Sequence, residues 1–153
     1  MPVNALRDYL DEHQVEYVTI SHSRAYTAQR IAAAAHVPGK NMAKTVMLKV
    51  DGSLLMAVLR APDTVNLVTV KELTDADTVA LAKEDEFEQR FPDCEVGSMP
   101  PFGNLYDLSV LVDTNLTTDD HIVFNACSHR ELIRMPYESY AQLVEPTIAD
   151  IAA

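Results

Sequence analysis

The chain has 153 residues, of which 23 are acidic and 12 basic for a formal net charge of −11, and 48 % are hydrophobic, with 4 glycines and 8 prolines. This length suits one domain, 1–153, with a buried core, and the composition excludes disordered and collagen-like chains. The longest uncharged apolar stretches, residues 31–37 and 54–59, fall far short of the ~20 residues that cross a bilayer, so no membrane span is expected.

Val3, Leu6 and Leu10 recur at helical spacing and predict an amphipathic helix over residues 3–14. Residues 17–20 are β-formers and predict a short strand, after which Thr27 can cap a helix over 28–36. The apolar runs 45–50 and 54–59, separated by Asp51-Gly52, give the clearest hairpin signal, and their near-continuous hydrophobicity places them centrally in a sheet covered on both faces. Further predictions are a short helix over 66–73, a strand over 78–81 and an acidic helix over 83–90 with Phe87 and Phe91 turned inward. Residues 97–103, GSMPPFG, hold two prolines and two glycines and predict a rigid loop. Strands are expected over 108–112, 122–126 and 131–135, and Pro136 at the first helical position opens a helix over 137–144. Hairpins mixed with helices point to an α+β fold, with a curved, mostly antiparallel, barrel-like mixed sheet packed by several helices.

The opening residues carry Arg7 and Asp8 and no apolar segment, so no secretory leader is expected. Cys94 and Cys127 stand in no CxxC or zinc-ligand spacing, and are expected as free thiols in a reducing cytoplasm. The charge is uneven: over residues 24–60 the cations Arg24, Arg30, Lys40, Lys44, Lys49 and Arg60 face one acid, Asp51, for a local +5 against −16 elsewhere. A positive face on an acidic body fits a small polyanionic target, such as an RNA end, better than a long duplex, and Arg30 and Lys40 are the expected RNA contacts. The alternative is an acidic solubility surface with chance clustering.

The five histidines form no HxxxH or HxH pair, which argues against a metal site. G-x-S-x-G, the phosphate-binding G-x-x-x-x-G-K-[ST] loop and G-x-G-x-x-G are all absent, and no cofactor is expected. What remains is Lys44 inside an apolar strand, the loop over 97–103, and the segment Asn125-Ala126-Cys127-Ser128-His129. From the residues alone, Lys44 reads as a strand-end lysine snorkelling into water, Ser128 and His129 as turn residues, and Tyr26 as core.

Taken together, Ala43-Lys44-Thr45-Val46, the G-x-x-x-P loop Gly97 to Pro101, and Phe124-Asn125-Ala126-x-Ser128-His129 followed by Ile133-x-Met135 resemble the YbaK/EbsC family. These are free-standing relatives of the editing domain inserted in bacterial prolyl-tRNA synthetase. The resemblance implies hydrolysis of the ester of a mischarged aminoacyl-tRNA, with Lys44 matching the shared lysine. The implied substrate pocket comprises Tyr26, Thr45, Gly97, Pro101, Phe102, Gly103, Asn125, Ala126, Ser128 and His129. Cys127 departs from the family pattern, which has glycine there. The expected activity is metal-independent trans-editing of Ala-tRNA(Pro), or of Cys- or Ser/Thr-tRNA, with the aminoacyl-tRNA acceptor end and an aminoacyl-tRNA synthetase as partners. A non-catalytic module for an RNA 3′ end or a protein partner, and a small-ester hydrolase, are the alternatives.

Overall fold

Asp51 and Gly52 both adopt left-handed backbone, with φ of +48° and +86°, as a two-residue type I′ turn requires. They join β2 (Ala43–Val50) to β3 (Ser53–Arg60) in the predicted hairpin. The Asp51 carboxylate accepts hydrogen bonds from the backbone N–H of Asp77 at 3.0 Å and Thr78 at 2.9 Å. These fasten the turn to the start of β4 (Val79–Leu81), which pairs antiparallel with β2. The computed structural model describes residues 2–21, 42–92, 94–95, 97–128 and 131–153, so the helix expected over 28–36 lies outside the described residues.

The other predicted elements appear with small shifts at their ends. They are α1 (Pro2–Glu12), β1 (Val18–Ser21), α2 (Leu67–Thr74), β5 (Val110–Asp113), β6 (His121–Asn125), β7 (Glu131–Pro136) and α4 (Tyr137–Val144). Asn66 caps α2 by accepting from the Thr69 N–H at 3.2 Å. Pro136 stands one position earlier than expected, as the cap of α4. The acidic segment is a single turn, α3 (Glu84–Phe87), that tightens into a 3₁₀ turn over Glu88–Arg90. β8 (Thr147–Ala149) has no counterpart among the predicted elements.

The strands form two sheets rather than one barrel-like sheet. One is antiparallel with order β1-β7-β6, and the other has order β4-β2-β3-β5-β8, in which β3, β5 and β8 run parallel. A parallel bridge between Met42 and Val123 joins them, and among the described residues the sheets do not close. Met47, Met56, Val58 and Val112 of the larger sheet share the main core with Phe124, Ile133 and Met135 of the smaller, sealed by Phe102 and Tyr140. On the far face of the larger sheet, Leu48, Ala57 and Leu111 pack with Val70 of α2 and with Ile151. Burying both faces of β2 and β3 is what makes their sequences nearly all apolar.

Asp113, 2 % exposed, ends β5 and fixes the C-terminal segment. Its carboxylate accepts from the N–H groups of Ile151 at 2.9 Å, Ala152 at 3.1 Å and Asn115 at 3.1 Å, which satisfies the charge in a buried position. Among the described residues no helix is long and apolar enough to cross a membrane.

One expectation fails outright: Cys94 and Cys127 are not free thiols but a disulfide, with Cα atoms 4.3 Å apart. Their 33-residue separation gives no hint of this proximity. The chain brings them together by folding the residues before the Gly97 loop against the turn that follows β6.

Candidate active site

From the Met42–Val123 bridge, β2 and β6 run in the same direction, and two residues beyond it stand Lys44 on one strand and Asn125 on the other. Alternate residues of a strand share a face. Ala43 and Phe124 are in the main core, so Lys44 and Asn125 both leave on the opposite side. The same alternation turns Thr45 away from Lys44.

Lys44 is half-buried and, among the described residues, has no ion-pair partner. Burial pulls its pKa below the ordinary lysine value, and the charge of Asp63 partly opposes that shift. Asp63 was not a sequence candidate. The hairpin register that sets Ala43 opposite Arg60 carries it to the Lys44 end of the strand pair. Two other cations of the +5 segment are neutralised, Lys49 by Glu86 and Arg60 by Asp119 at 3.3 Å. Among the described residues of that segment, Lys44 is thus the cation not held in an ion pair.

The Gly97 loop lies directly against the turn after β6. Gly97 has φ of +81° and is exposed, a conformation glycine adopts without penalty. Ser98 is fully buried, and its hydroxyl donates to the Glu95 carbonyl at 2.6 Å. The Cys127 N–H donates to the Ser98 carbonyl at 2.9 Å, and the Glu95 N–H to the Cys127 carbonyl at 3.0 Å. Cys127 itself has φ of +66°. The backbone at this position is therefore one that suits the glycine the resemblance implies, and a cysteine holds it at a cost of roughly 1–2 kcal/mol.

Several expected pocket residues prove to support the loop from behind. The Pro101 carbonyl accepts from the Tyr140 hydroxyl at 2.6 Å; burial holds that phenol well above its ordinary pKa, so it is a neutral donor. Phe102 is fully buried, with its ring edge-to-face against Phe124 at 5.5 Å and Tyr140 at 5.2 Å. A side chain at Gly103 would meet Val110 Cγ2 at 2.6 Å and the Leu108 carbonyl oxygen at 2.8 Å, so glycine there serves close packing. Ala126 is fully buried and donates its N–H to Glu131 at 3.0 Å. Asn125 is 7 % exposed, and among the described residues its Oδ1 has no hydrogen-bond partner. Ser128 is half-buried beside Cys127. Tyr26, Arg30, Lys40 and His129 lie outside the described residues.

Among the described residues no group of three or more histidine, cysteine, aspartate or glutamate side chains is placed to hold a metal ion. The described residues of the site instead offer the Lys44 cation, exposed backbone at a glycine, and a turn whose polar residues follow β6. Such a set can hold an anionic or carbonyl oxygen.

The aminoacyl-tRNA editing domain family matches residues 22–143. The chain belongs to this family. It is 27 % identical over 127 residues to a proline–tRNA ligase of Bacillus mycoides (strain KBAB4), and 28 % identical over 127 residues to proline–tRNA ligase 1 of Bacillus anthracis. Each match takes in 83 % of this chain and 22 % of the ligase, so the chain spans about a fifth of the length of these curated relatives. Among solved structures, it superposes on a proposed trans-editing enzyme for prolyl tRNA synthetase with TM-score 0.84 at 16 % identity, covering 99 % of this chain and 97 % of that one. It also superposes on hypothetical protein APE2540 with TM-score 0.87 at 17 % identity, covering 97 % and 99 %. At these identities the structural likeness establishes the fold.

Proposed function

We propose that this chain hydrolyses the ester linking a small, wrongly attached amino acid to the terminal ribose of a tRNA. Alanine on a proline tRNA is the foremost substrate, with Cys- and Ser/Thr-tRNA in the same class. One observation carries this reading: a half-buried lysine with no ion-pair partner among the described residues is brought by an inter-sheet bridge alongside the turn that holds the Gly97 loop.

An aminoacyl ester is already activated, so catalysis needs a positioned water and charge stabilisation at the carbonyl more than a strong nucleophile. Water adds to the carbonyl carbon, and the oxygen that becomes negative is held by the Lys44 ammonium and by the exposed backbone of Gly97; the Ser98 N–H is already given to the Glu95 carbonyl, and Pro100 and Pro101 have none. The bond to the ribose oxygen then breaks, that oxygen takes up a proton, and the free amino acid and intact tRNA leave. The neighbouring ribose hydroxyl of the substrate positions the water. Selection is chiefly by size, since a pocket that differs by one methylene discriminates by only ~1–3 kcal/mol. The tRNA body or a synthetase partner supplies the remaining specificity, in the cytoplasm where charged tRNA is used.

A panel of radiolabelled aminoacyl-tRNAs tests the proposal. Ala-tRNA(Pro) is expected to lose its label fastest, and correctly charged Pro-tRNA slowly. Turnover of free amino-acid esters with no response to the tRNA would point to a small-ester hydrolase, and binding without turnover to a recognition module; either result overturns the proposal.

A further inference from the structure

Cys94 and Cys127 sit on the two halves of the candidate site, one on the approach to the Gly97 loop and the other in the turn between Asn125 and Ser128. Around them the halves are held by the two backbone hydrogen bonds that link Cys127 to Ser98 and to Glu95. The Tyr106 hydroxyl lies 3.9 Å from the Cys94 sulfur and 3.7 Å from that of Cys127. Position 127 has the left-handed backbone that favours glycine. A cysteine there costs conformational energy that packing alone does not call for, whereas a covalent link to Cys94 gives the side chain a use.

We infer that Cys94 and Cys127 form a reversible thiol–disulfide clamp that sets how firmly the Gly97 loop is held on the turn after β6, and so controls the rate of ester hydrolysis. For the rate, though not for the clamp itself, this rests on the deacylase reading above. In the oxidised form the loop and the turn are one unit. In the reduced form the loop and the strained turn keep their backbone hydrogen bonds but lose the covalent link, and the backbone at Gly97 loses its fixed position against the substrate carbonyl.

Cys94 is the more exposed half of the bond. Cys127 is buried, but Cys94 is half-buried and faces a cleft of about 30 Å³ between Phe87, Phe91 and Met99. Glu84, Glu88 and Glu95 line the same cleft, so it favours an uncharged dithiol over an anionic thiol such as glutathione. In the reaction, one thiolate of the dithiol attacks the Cys94 sulfur, the sulfur–sulfur bond breaks, and Cys127 leaves as a thiolate and takes up a proton. The second thiol of the dithiol then attacks the mixed disulfide and releases Cys94 as a thiol. The protein gains two electrons and two protons, and the dithiol becomes a cyclic disulfide.

The experiment poises the full chain at a series of dithiothreitol ratios, counts alkylatable thiols by mass, and measures kcat/KM on Ala-tRNA(Pro) in the same samples. The rate is expected to fall by roughly tenfold on reduction, within the ~10²-fold cost of misplacing reacting groups by ~1 Å. The fall should track the appearance of two thiols, and glutathione should be the weaker reductant. Cys94→Ser should match the reduced wild type and ignore dithiothreitol. Cys127→Gly, which relieves the turn without a sulfur, should ignore it too while keeping a higher rate than Cys94→Ser. Two thiols alkylated without any reductant, or equal rates in the two verified redox states, overturn the clamp. If neither state cleaves any aminoacyl-tRNA, the deacylase reading fails on its own. Limited proteolysis at the Gly97 loop then decides the clamp: faster cleavage after reduction supports it, and unchanged cleavage overturns it.

Discussion

Replacing Lys44 with methionine keeps an unbranched stem of similar length and removes the charge. β2 is held by backbone pairing, with Lys44 opposite Leu59, so the ladder survives the change. Lys44 has no ion-pair partner among the described residues, so no carboxylate is left stranded. The stability of the variant should therefore stay within about 0.5 kcal/mol of the wild type, a change of no more than about 2 °C in Tm for a chain of this size. The chemistry is a different matter. A cation aimed at the oxygen that becomes negative is worth on the order of 10²–10³ in kcat, about 2.7–4 kcal/mol. Single-turnover deacylation of radiolabelled Ala-tRNA(Pro) with enzyme in excess, paired with a thermal melt, reads both quantities on one sample. Lys44→Arg should recover part of the rate, because it restores charge in a broader, planar group. A folded Lys44→Met protein that deacylates at the wild-type rate refutes the role given to the ammonium.

Three further outcomes are expected. Burial lowers the Lys44 pKa from the ordinary 10.5, so kcat should fall along an alkaline limb centred below that value, and Lys44→Arg should move the limb upward. The stability consequence has the opposite sign: between the folded and unfolded pKa the unfolded chain binds more protons, so stability rises with pH through that window, and Lys44→Met should lack the rise in alkaline denaturation curves. Gly103→Ala would press a methyl to 2.6 Å from Val110 and 2.8 Å from a backbone carbonyl that cannot rotate away. It should cost about 1–3 kcal/mol, or roughly 2–12 °C in Tm, and an unchanged melting temperature would contradict the close approach. Arg30→Glu and Lys40→Glu should raise KM with little change in kcat, with a shallow salt dependence of about −0.7 to −0.9 per phosphate contact; unchanged kinetics in both variants would remove the acceptor end from this face.

Where local chemistry decides structure, the sequence was readable. Asp51-Gly52 announces a turn that needs two positive φ angles, and the continuous apolar runs announce strands. What resisted reading was long-range. β8 is three residues long, largely exposed and paired in parallel with a strand more than thirty residues earlier, so neither periodicity nor a turn signal marks it. Whether the strands close into a barrel or part into two sheets depends on one bridge, Met42 to Val123, which leaves no trace in composition. The site shows the same division. The loop over 97–103 and the segment after β6 were legible as motifs, and the structure does pack the loop against that segment. Which of their residues face outward was not legible: Phe102, Gly103 and Ala126 are core, and strand alternation turns Thr45 aside. The local charge of +5 also overstated the cationic face, because Lys49 and Arg60 meet acids 37 and 59 positions later in the chain.

The family match stops at residue 143, whereas the folded unit does not. Ile151 fills the smaller core, Ala152 bridges to Val65, the Ala153 N–H reaches the Thr64 carbonyl at 2.7 Å, and Asp113 spends a carboxylate oxygen on this segment. Trimming the chain at the similarity boundary would strip β8 from β5 and uncover a row of unpaired backbone groups along Val110–Asp113, flanked by apolar side chains. An edge of that kind is a template for adding a strand from another copy. The first symptom of an over-short truncation would therefore be self-association, easily mistaken for a defect in the chemistry.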